Sequence, residues 1–289
     1  MYSAIATNKR NTIWITMFFI VIIALLGYAA AMYYGQWIFW GALVGSAIYA
    51  LIQYFAAARL ALAVTDAKEI QKSDNPTLYR IVENLAITNG MPMPKVYVID
   101  DPALNAFATG RDPEHAYVAA TTGILEALTP RELTAVMAHE MGHVKNYDIR
   151  VMMIVFGLVS AIGFIADTIL RMAWFGGSDN RDRSPLLMVL GIVAALLAPV
   201  VAMLVQAAVS RQREYLADAT GAMTTRDPEA LARALEKIAE LGSITQRQNT
   251  SAAHLFFANP LKGGMAVAFS THPPIEDRIA RLRDIGKKM

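Results

Sequence analysis

Cysteine is absent from this chain of 289 residues. A disulfide framework and metal sites built on thiolates are therefore excluded, so any bound metal must be held by histidine and carboxylate side chains. Charge is also scarce, since 17% of the residues are charged and the formal net charge is only +2. A balance this close to neutral gives no indication of nucleic-acid binding. Histidine occurs five times, which leaves few ligands to spare.

Apolar residues make up 55% of the chain, more than an ordinary soluble domain contains. Four apolar stretches each approach the roughly 20 residues that a membrane-spanning helix requires. They cover residues 12–34, 37–58, 151–173 and 186–209. We therefore predict an integral membrane protein with four spans.

Basic residues around the first two spans predict their orientation. Lys9 and Arg10 precede the first span, and Arg59, Lys68 and Lys72 follow the second, whereas the short connection between the spans has no basic residue. Because cytoplasmic loops carry the excess of Lys and Arg, the N-terminus and the segment after the second span are expected in the cytoplasm.

The sequence His139-Glu140-Met141-Gly142-His143 is the strongest functional signal. Residues four apart lie on one face of a helix, so both imidazoles can reach one metal ion. Glu140 projects about 100° around the helix from His139, where it can reach a water at the metal without being forced to ligate the metal. This pattern is typical of a zinc peptidase, although a surface helix with two histidines and an ordinary acidic residue also satisfies it.

The residues before the motif predict a helix that starts near Pro130. Thr129 is a candidate N-cap, Pro130 stands at the first helical position and Glu132 at the third, which is the capping-box pattern. Apolar residues then recur at helical spacing. We therefore expect both histidines to point the same way.

The segments outside the predicted spans are typical of an α+β domain. One helix is predicted to begin after Asn75 and close at Gly90, and another to begin after Asp227 and end near Gly242. We expect a mobile loop, with a possible role as a lid, at residues 243–270. Short strands are predicted at residues 95–99, 105–109 and 116–121.

Two histidines do not complete a catalytic zinc site, which uses three protein ligands. The best candidate for the third ligand is Glu214, in a helical extension of the last predicted span. Asp218 lies four residues further on the same face, where it can accept the free ring N–H of a ligating histidine. The alternative is a helical charge cluster with Arg211 and Arg213 at a membrane surface.

These motifs together resemble the HtpX family of membrane zinc proteases. The resemblance is carried by His-Glu-Met-Gly-His at 139–143 and Arg-Glu-Tyr-Leu-Ala-Asp at 213–218, with Asn-Ala-Phe-Ala-Thr-Gly at 105–110 and Thr-His-Pro-Pro at 271–274. It covers essentially the whole chain. Membrane proteases that process prenylated proteins share the two metal-binding motifs.

The resemblance implies specific roles. His139, His143 and Glu214 correspond to the ligands of one zinc ion per chain, Glu140 to the catalytic glutamate and Asp218 to its helper aspartate. It also implies an active site facing the cytoplasm in the bacterial inner membrane. The implied cellular role is quality control of damaged or misassembled membrane proteins, under heat or envelope stress.

Further residues are expected to bind or stabilise the substrate. His272 is a candidate donor to the oxyanion, because its context resembles the family's His-Pro element. The alternative for His272 is a helix start before Pro273 with an incidental histidine. Asn105, Ala106 and Phe107 are expected to bind substrate, through a strand that pairs with the polypeptide backbone.

A metal ion shared by both soluble segments would place them on one side of the membrane. We therefore predict a mainly α protein with a small β-sheet, in which a zincin-like metalloprotease domain lies on the cytoplasmic side of four spans. If the helices are continuous, the metal lies within roughly 10–15 Å of the hydrocarbon edge. The predicted parts are a transmembrane hairpin at 1–58, protease segments at 59–150 and 210–289, and a second hairpin at 151–209.

The predicted activity is zinc-dependent endopeptidase cleavage of misfolded or damaged membrane proteins, with Glu140 as general base. The expected partners are polypeptide substrates and the lipid bilayer. One rival is a peptidase whose motif is buried in lipid, which the many charges around the motif disfavour. The other rival is a four-span scaffold or transporter with a structural metal, which predicts a fourth protein ligand and no role for Glu140.

Overall fold

The structure is a computed structural model, and it describes residues 2–158, 211–243, 256–258 and 273–289. The predicted span at 186–209 and most of the one at 151–173 lie outside these ranges, as does His272. Of the predicted loop at 243–270, only residues 243 and 256–258 are described.

Two long helices, α1 (Tyr2–Tyr34) and α2 (Trp37–Val64), contain the first two predicted spans and pack against each other. Within the described ranges, the stretch Phe39–Val64 is long and apolar enough to cross a bilayer. Both helices expose large apolar side chains, as a lipid-facing surface does. Among these exposed side chains are Ile13, Trp14, Phe18, Trp40, Val44, Ile48, Leu51 and Phe55.

A four-stranded mixed sheet follows, in the order β1-β2-β4-β3. Strand β2 pairs parallel with β4, while β1 pairs antiparallel with β2, and β3 antiparallel with β4. The order places β3 at one edge of the sheet. The sequence predicts three of these strands, and the two-residue β1 is an addition. The strands are β1 (Lys68–Glu69), β2 (Lys95–Ile99), β3 (Ala106–Gly110) and β4 (Ala116–Thr121).

Four of the helices after the N-terminal pair, α3, α4, α5 and α7, begin where a side chain caps them. Asn75 accepts a hydrogen bond from the backbone N–H of Leu78, and Asp227 does the same for Ala230. Gly90 ends the first of these helices in the left-handed conformation that glycine favours, at φ +63°. The helices are α3 (Pro76–Asn89), α4 (Thr122–Ala127), α5 (Pro130–Lys145), α6 (Arg211–Thr225), α7 (Pro228–Leu241) and α8 (Ile275–Lys288).

Strand β3 contributes to hydrophobic cores on both faces of the sheet, because its side chains alternate. Ala106 and Ala108 join a core with α3, α5 and α7. Phe107 faces the other way and joins a second core with Ala57 and Ala61, near the end of α2. The sheet therefore packs directly against the end of an apolar helix long enough to cross a membrane.

Helix α5 does not continue into the predicted third span. It ends at Lys145, and Tyr147 adopts the left-handed conformation at φ +62° before helix resumes at residues 148–158. The sequence places the metal about 10–15 Å from the hydrocarbon edge only if the helices that carry its ligands are continuous. The helix that carries the two histidines is interrupted, so this distance does not follow from it. This turn instead returns the chain towards the motif.

Candidate metal centre

The motif lies buried in the C-terminal half of α5, and the predicted capping box forms at the start of this helix. The Thr129 hydroxyl accepts the N–H of Glu132 at 3.3 Å, while the Glu132 carboxylate accepts the N–H of Thr129 at 2.8 Å. Lys237 also donates to this carboxylate, at 2.7 Å. The start of the helix is thus fixed to α7, which sets the direction of the residues that follow.

The side chains of His139, His143 and Glu214 converge. The two Nε2 atoms lie 3.1 Å apart, and the Glu214 oxygens lie 3.7 Å from His139 Nε2 and 3.6 Å from His143 Nε2. All three side chains are buried. Their ligand atoms lie within 4.8 Å of one another, and this is the one group of metal-binding side chains found among the described residues.

These separations fit a small tetrahedral metal ion. With zinc–ligand bonds of about 2.0–2.2 Å, two ligand atoms of a tetrahedral site lie about 3.3 Å apart. The three observed separations fall close to this value without any rearrangement of the helices. Two imidazoles and one carboxylate are also a donor set that catalytic zinc sites use.

Glu140 lies next to these side chains and is itself buried, with 2% of its surface exposed. Burial raises the pKa of its carboxyl group to about 7, and the neighbouring Glu214 charge adds to this rise. A hydrogen bond from the backbone N–H of Ala108, on β3, favours the ionised form. Glu140 can therefore gain or lose a proton near neutral pH.

His139 is held by a chain of buried polar groups. Its Nδ1 lies 2.8 Å from Asp218 Oδ1, so the ring donates a proton there and directs Nε2 towards Glu214. Arg278 contacts both oxygens of Asp218, through Nε at 2.9 Å and Nη2 at 2.8 Å. Burial alone would raise the pKa of Asp218, but the Arg278 charge outweighs it and holds that pKa well below its usual range.

His143 has its own carboxylate partner. Its Nδ1 lies 2.9 Å from Oδ2 of Asp148, which is fully buried. Burial lowers the pKa of His143, but the hydrogen bond to Asp148 and the charge of Glu214 outweigh this and raise it to about 9. The turn at Tyr147 makes this contact possible, because it brings Asp148 back beside the ring.

Helices α5 and α6 approach closely at two glycines. A side-chain carbon on Gly221 would lie 3.0 Å from the backbone nitrogen of His139, and one on Gly142 would lie 3.4 Å from the Thr220 side chain. Residues without side chains permit this approach. It brings Glu214, on α6, within reach of the two histidines on α5.

Comparison with known proteins assigns this arrangement to a family. The profile of peptidase family M48 matches residues 72–286. A protease HtpX homolog from Tropheryma whipplei (strain Twist) is 54% identical over 289 residues, covering 100% of this chain and 99% of that protein. The chain belongs to the HtpX family of M48 peptidases. The resemblance seen in the sequence is thereby confirmed, and the protein is a metalloprotease.

Other HtpX relatives match over nearly their full length. The protease HtpX homolog of Dictyoglomus thermophilum is 43% identical, covering 99% of this chain and 95% of that protein. The one from Streptococcus uberis is 42% identical, covering 98% and 99% respectively. A crystal structure of S. mikatae Ste24p shares the fold, with a TM-score of 0.54 and 18% identity, covering 98% of this chain and 67% of that one.

Strand β3 borders the HtpX site and carries the predicted substrate residues. All five of its residues are buried. The carbonyl of Ala106 accepts the N–H of Phe257 at 2.8 Å, and the Asn105 amide bonds both the N–H and the carbonyl of Ala258. Residues 256–258 therefore lie against the outer edge of β3. The Phe257 ring also packs edge-on against His139, with ring centroids 4.9 Å apart.

The structure brings together most of the predicted site and adds residues that sequence reasoning missed. His139, Glu140, His143, Glu214 and Asp218 form one cluster, with β3 beside it. Three further side chains hold the cluster in place and were not predicted. They are Arg278, Asp148 and Asn8.

A signal for one missed residue is present in the sequence. Ile275, Ile279 and Leu282 form an apolar stripe at helical spacing, and Arg278 stands within that stripe. A cation on the buried face of a helix requires a buried partner. For Asp148 and Asn8 no comparable periodic signal exists.

Proposed function

We propose that the chain is a membrane-integrated zinc endopeptidase that hydrolyses peptide bonds of misfolded or damaged membrane proteins. One observation supports this most strongly. The buried Nε2 atoms of His139 and His143 and the carboxylate of Glu214 converge from two helices far apart in sequence, with Glu140 beside them. A scaffold with a structural metal has no need for an acid at this position.

His139, His143 and Glu214 would hold the zinc ion. Their donor set and separations support zinc, and the absence of cysteine in the chain leaves histidine and carboxylate as the available ligands. When bound, zinc polarises a carbonyl group and lowers the pKa of water towards neutrality. Asp218 and Asp148 fix the tautomers of the two imidazoles so that each Nε2 faces the metal position.

Glu140 is assigned as the general base. It would accept the proton of the attacking water and then deliver that proton to the leaving amine. Burial raises the pKa of its carboxyl group, which strengthens the carboxylate as a base for the first step.

The edge of β3 is assigned to substrate binding, with Asn105 and Ala106 as the residues in contact. The hydrogen bond from the Phe257 N–H to the Ala106 carbonyl supports this, because it shows a backbone acceptor of β3 that faces away from β4. Phe107, which the sequence also suggests, packs its ring against Phe256 on the opposite face, so we assign its side chain no contact. His272 remains our proposed donor to the oxyanion.

We propose that the protein is inserted in the membrane and that its metal centre lies on the cytoplasmic side. The exposed apolar side chains of α1 and α2 support insertion into a bilayer, and the basic residues Lys9, Arg10 and Arg59 support a cytoplasmic site. The second core joins the end of α2 to the sheet, which supports a position of the metal centre near the membrane surface. Loops and tails of other membrane proteins reach this height, which fits a role in their quality control.

The decisive experiment compares Glu140→Gln with Glu126→Gln in detergent-purified full-length protein. Glu126 is an exposed acid on α4, so its variant is a matched control for the same chemical change. We expect Glu140→Gln to retain one zinc per chain and to lose cleavage of an unfolded substrate by at least about 100-fold. Unchanged cleavage would exclude Glu140 as the base, and a zinc-free wild type would exclude the proposed metal.

A further inference from the structure

Helix α1 reaches the metal centre through one buried side chain. Asn8 is 4% exposed, although Thr7, Lys9 and Arg10 around it are exposed. It lies before the predicted first span, at the end of α1 outside the apolar stretch. A buried amide on an otherwise exposed helix end needs hydrogen-bond partners inside the protein.

The partner of Asn8 is the carboxylate that holds a metal ligand. Asn8 Nδ2 donates to Asp148 Oδ1 at 2.6 Å and to the carbonyl of Asn146 at 2.9 Å. The other oxygen of Asp148 accepts from His143 Nδ1 at 2.9 Å. The positive charge of Arg213 also attracts the Asp148 carboxylate. Each carboxylate oxygen therefore has its own donor, and the pair fixes the carboxylate's rotation.

We propose that Asn8 is a positioning residue of the metal centre, which acts through Asp148 to hold His143 in its ligating orientation. The inference rests on the proposed function, because it takes the site to bind zinc. It also links the first membrane helix to the metal, since α1 contributes a side chain to the group that orients a ligand.

A second contact of α1 supports the same link. Tyr147 adopts a left-handed backbone conformation at φ +62°, which is unfavourable for a residue other than glycine. Lys9, on α1, lies over the Tyr147 ring at 4.6 Å from its centroid. Arg150, on helix 148–158, lies over the same ring at 4.9 Å. Contacts of this kind stabilise the turn against its backbone cost. Asn8 and Lys9 thus hold Asp148, the first residue of helix 148–158, and Tyr147 directly before it.

The effect expected of Asn8 is smaller than that of a direct partner of a ligand. Removing a group that hydrogen-bonds a metal-ligating histidine weakens metal binding about 10–100-fold. Asn8 is one hydrogen bond further from the metal, so we expect a loss of zinc affinity of about 3–10-fold. The loss arises because Asp148 retains His143 as a partner but gains rotational freedom.

The test measures the zinc Kd of purified full-length protein at pH 8, by competition with a chelating dye. Asn8→Leu removes the donor, and Asn8→Asp keeps the shape but places a second negative charge beside Asp148. We expect the Kd to rise about 3–10-fold for Asn8→Leu and further for Asn8→Asp. The controls are Asn11→Leu and Asn11→Asp, one turn along the same helix, which should change the Kd less than 2-fold.

A double-mutant cycle separates positioning from mere folding. In an Asp148→Ala background, Asn8→Leu should leave the zinc Kd unchanged, because the route to His143 is already broken. An equal loss in both backgrounds, or a larger loss for Asn8→Leu than for Asn8→Asp, would overturn the inference. So would a wild-type Kd in both Asn8 variants. If the wild type binds no zinc, the proposed function fails first and this inference fails with it.

Discussion

Arg278 meets Asp218 through two parallel hydrogen bonds, Nε to Oδ2 at 2.9 Å and Nη2 to Oδ1 at 2.8 Å. Both side chains are almost fully buried, and Asp218 Oδ1 also accepts a hydrogen bond from His139 Nδ1. The arginine therefore neutralises the carboxylate that fixes the tautomer of His139, a proposed metal ligand. A helix near the C-terminus, α8, thereby becomes part of the metal centre.

Replacing Arg278 should weaken metal binding. Arg278→Met leaves Asp218 buried without its counter-charge, so we expect the zinc Kd to rise about 10–100-fold and stability to fall by about 3–5 kcal/mol. Arg278→Lys keeps the charge but not the two-point contact, and an intermediate loss is expected. Dye competition and thermal unfolding measure both effects. Arg283→Met removes an exposed arginine of α8 and is the control.

Adding one methyl group at the crossing of α5 and α6 should separate the metal ligands. In Gly221→Ala the new carbon would meet backbone atoms of His139 at 3.0 and 3.2 Å, so α6 must shift away. We expect a loss of about 1–3 kcal/mol in stability and a reduced zinc content. Gly45→Ala, where the added carbon meets nothing within 4 Å, should be neutral or slightly stabilising. Full zinc content in Gly221→Ala would contradict the role of this close approach.

The sequence predicts local structure well where a side chain caps or alternates. The capping box of Thr129 and Glu132 forms as expected, and strands β2 and β4 have the predicted bounds. These features depend on residues within a few positions of one another, so their physical cause is visible in the sequence. The convergence of Glu214 with the histidines is also anticipated, through the family resemblance.

The supporting contacts depend on the fold and escape such reasoning. Asp148 contacts His143 only because Tyr147 adopts a left-handed conformation. Glycine and asparagine favour that conformation, but neither stands at position 147, so the sequence does not predict the turn. Asn8 contacts Asp148 across 140 positions of the chain. Hydrogen bonds at this separation follow from tertiary packing, which periodicity and motif spacing do not report.

The capping box of α5 gives a testable pH dependence. Burial raises the pKa of Glu132, but its hydrogen bonds with Lys237 and Thr129 outweigh burial and hold that pKa below its usual value. The stabilisation is therefore present above the pKa of an unfolded glutamate, about 4.3, and is lost as pH falls through the lower folded value. Glu132→Gln should cost about 1–2 kcal/mol at pH 7, and the difference from wild type should shrink at acid pH.

Thermal unfolding of both proteins from pH 7 down to about pH 2 measures this difference, because the range must extend below the lowered pKa of folded Glu132. Glu83→Gln is the matched control, because its carboxylate forms an exposed ion pair with Lys72 that contributes little. A difference between Glu132→Gln and wild type that stays constant across this range would assign the effect to shape rather than charge.

The absence of cysteine makes the orientation directly testable. Single cysteines can be placed at Gln36, between α1 and α2, and at Glu126, beside the sheet, where both side chains are exposed. With a membrane-impermeant thiol reagent applied to intact spheroplasts, we expect Gln36→Cys to react and Glu126→Cys to react only after permeabilisation. The reverse pattern would place the metal centre outside the cytoplasm.

The metal centre is assembled from residues near 8, 140, 214 and 278 of one polypeptide. A chain emerging from the ribosome consequently lacks a complete centre at first, because the proposed ligand on α6 and the arginine on α8 are synthesised after the motif helix. Hydrolytic competence therefore requires that both α6 and α8 have been synthesised. We accordingly expect a truncated or stalled product that lacks α6 to be inactive, because it is without the proposed third ligand, Glu214.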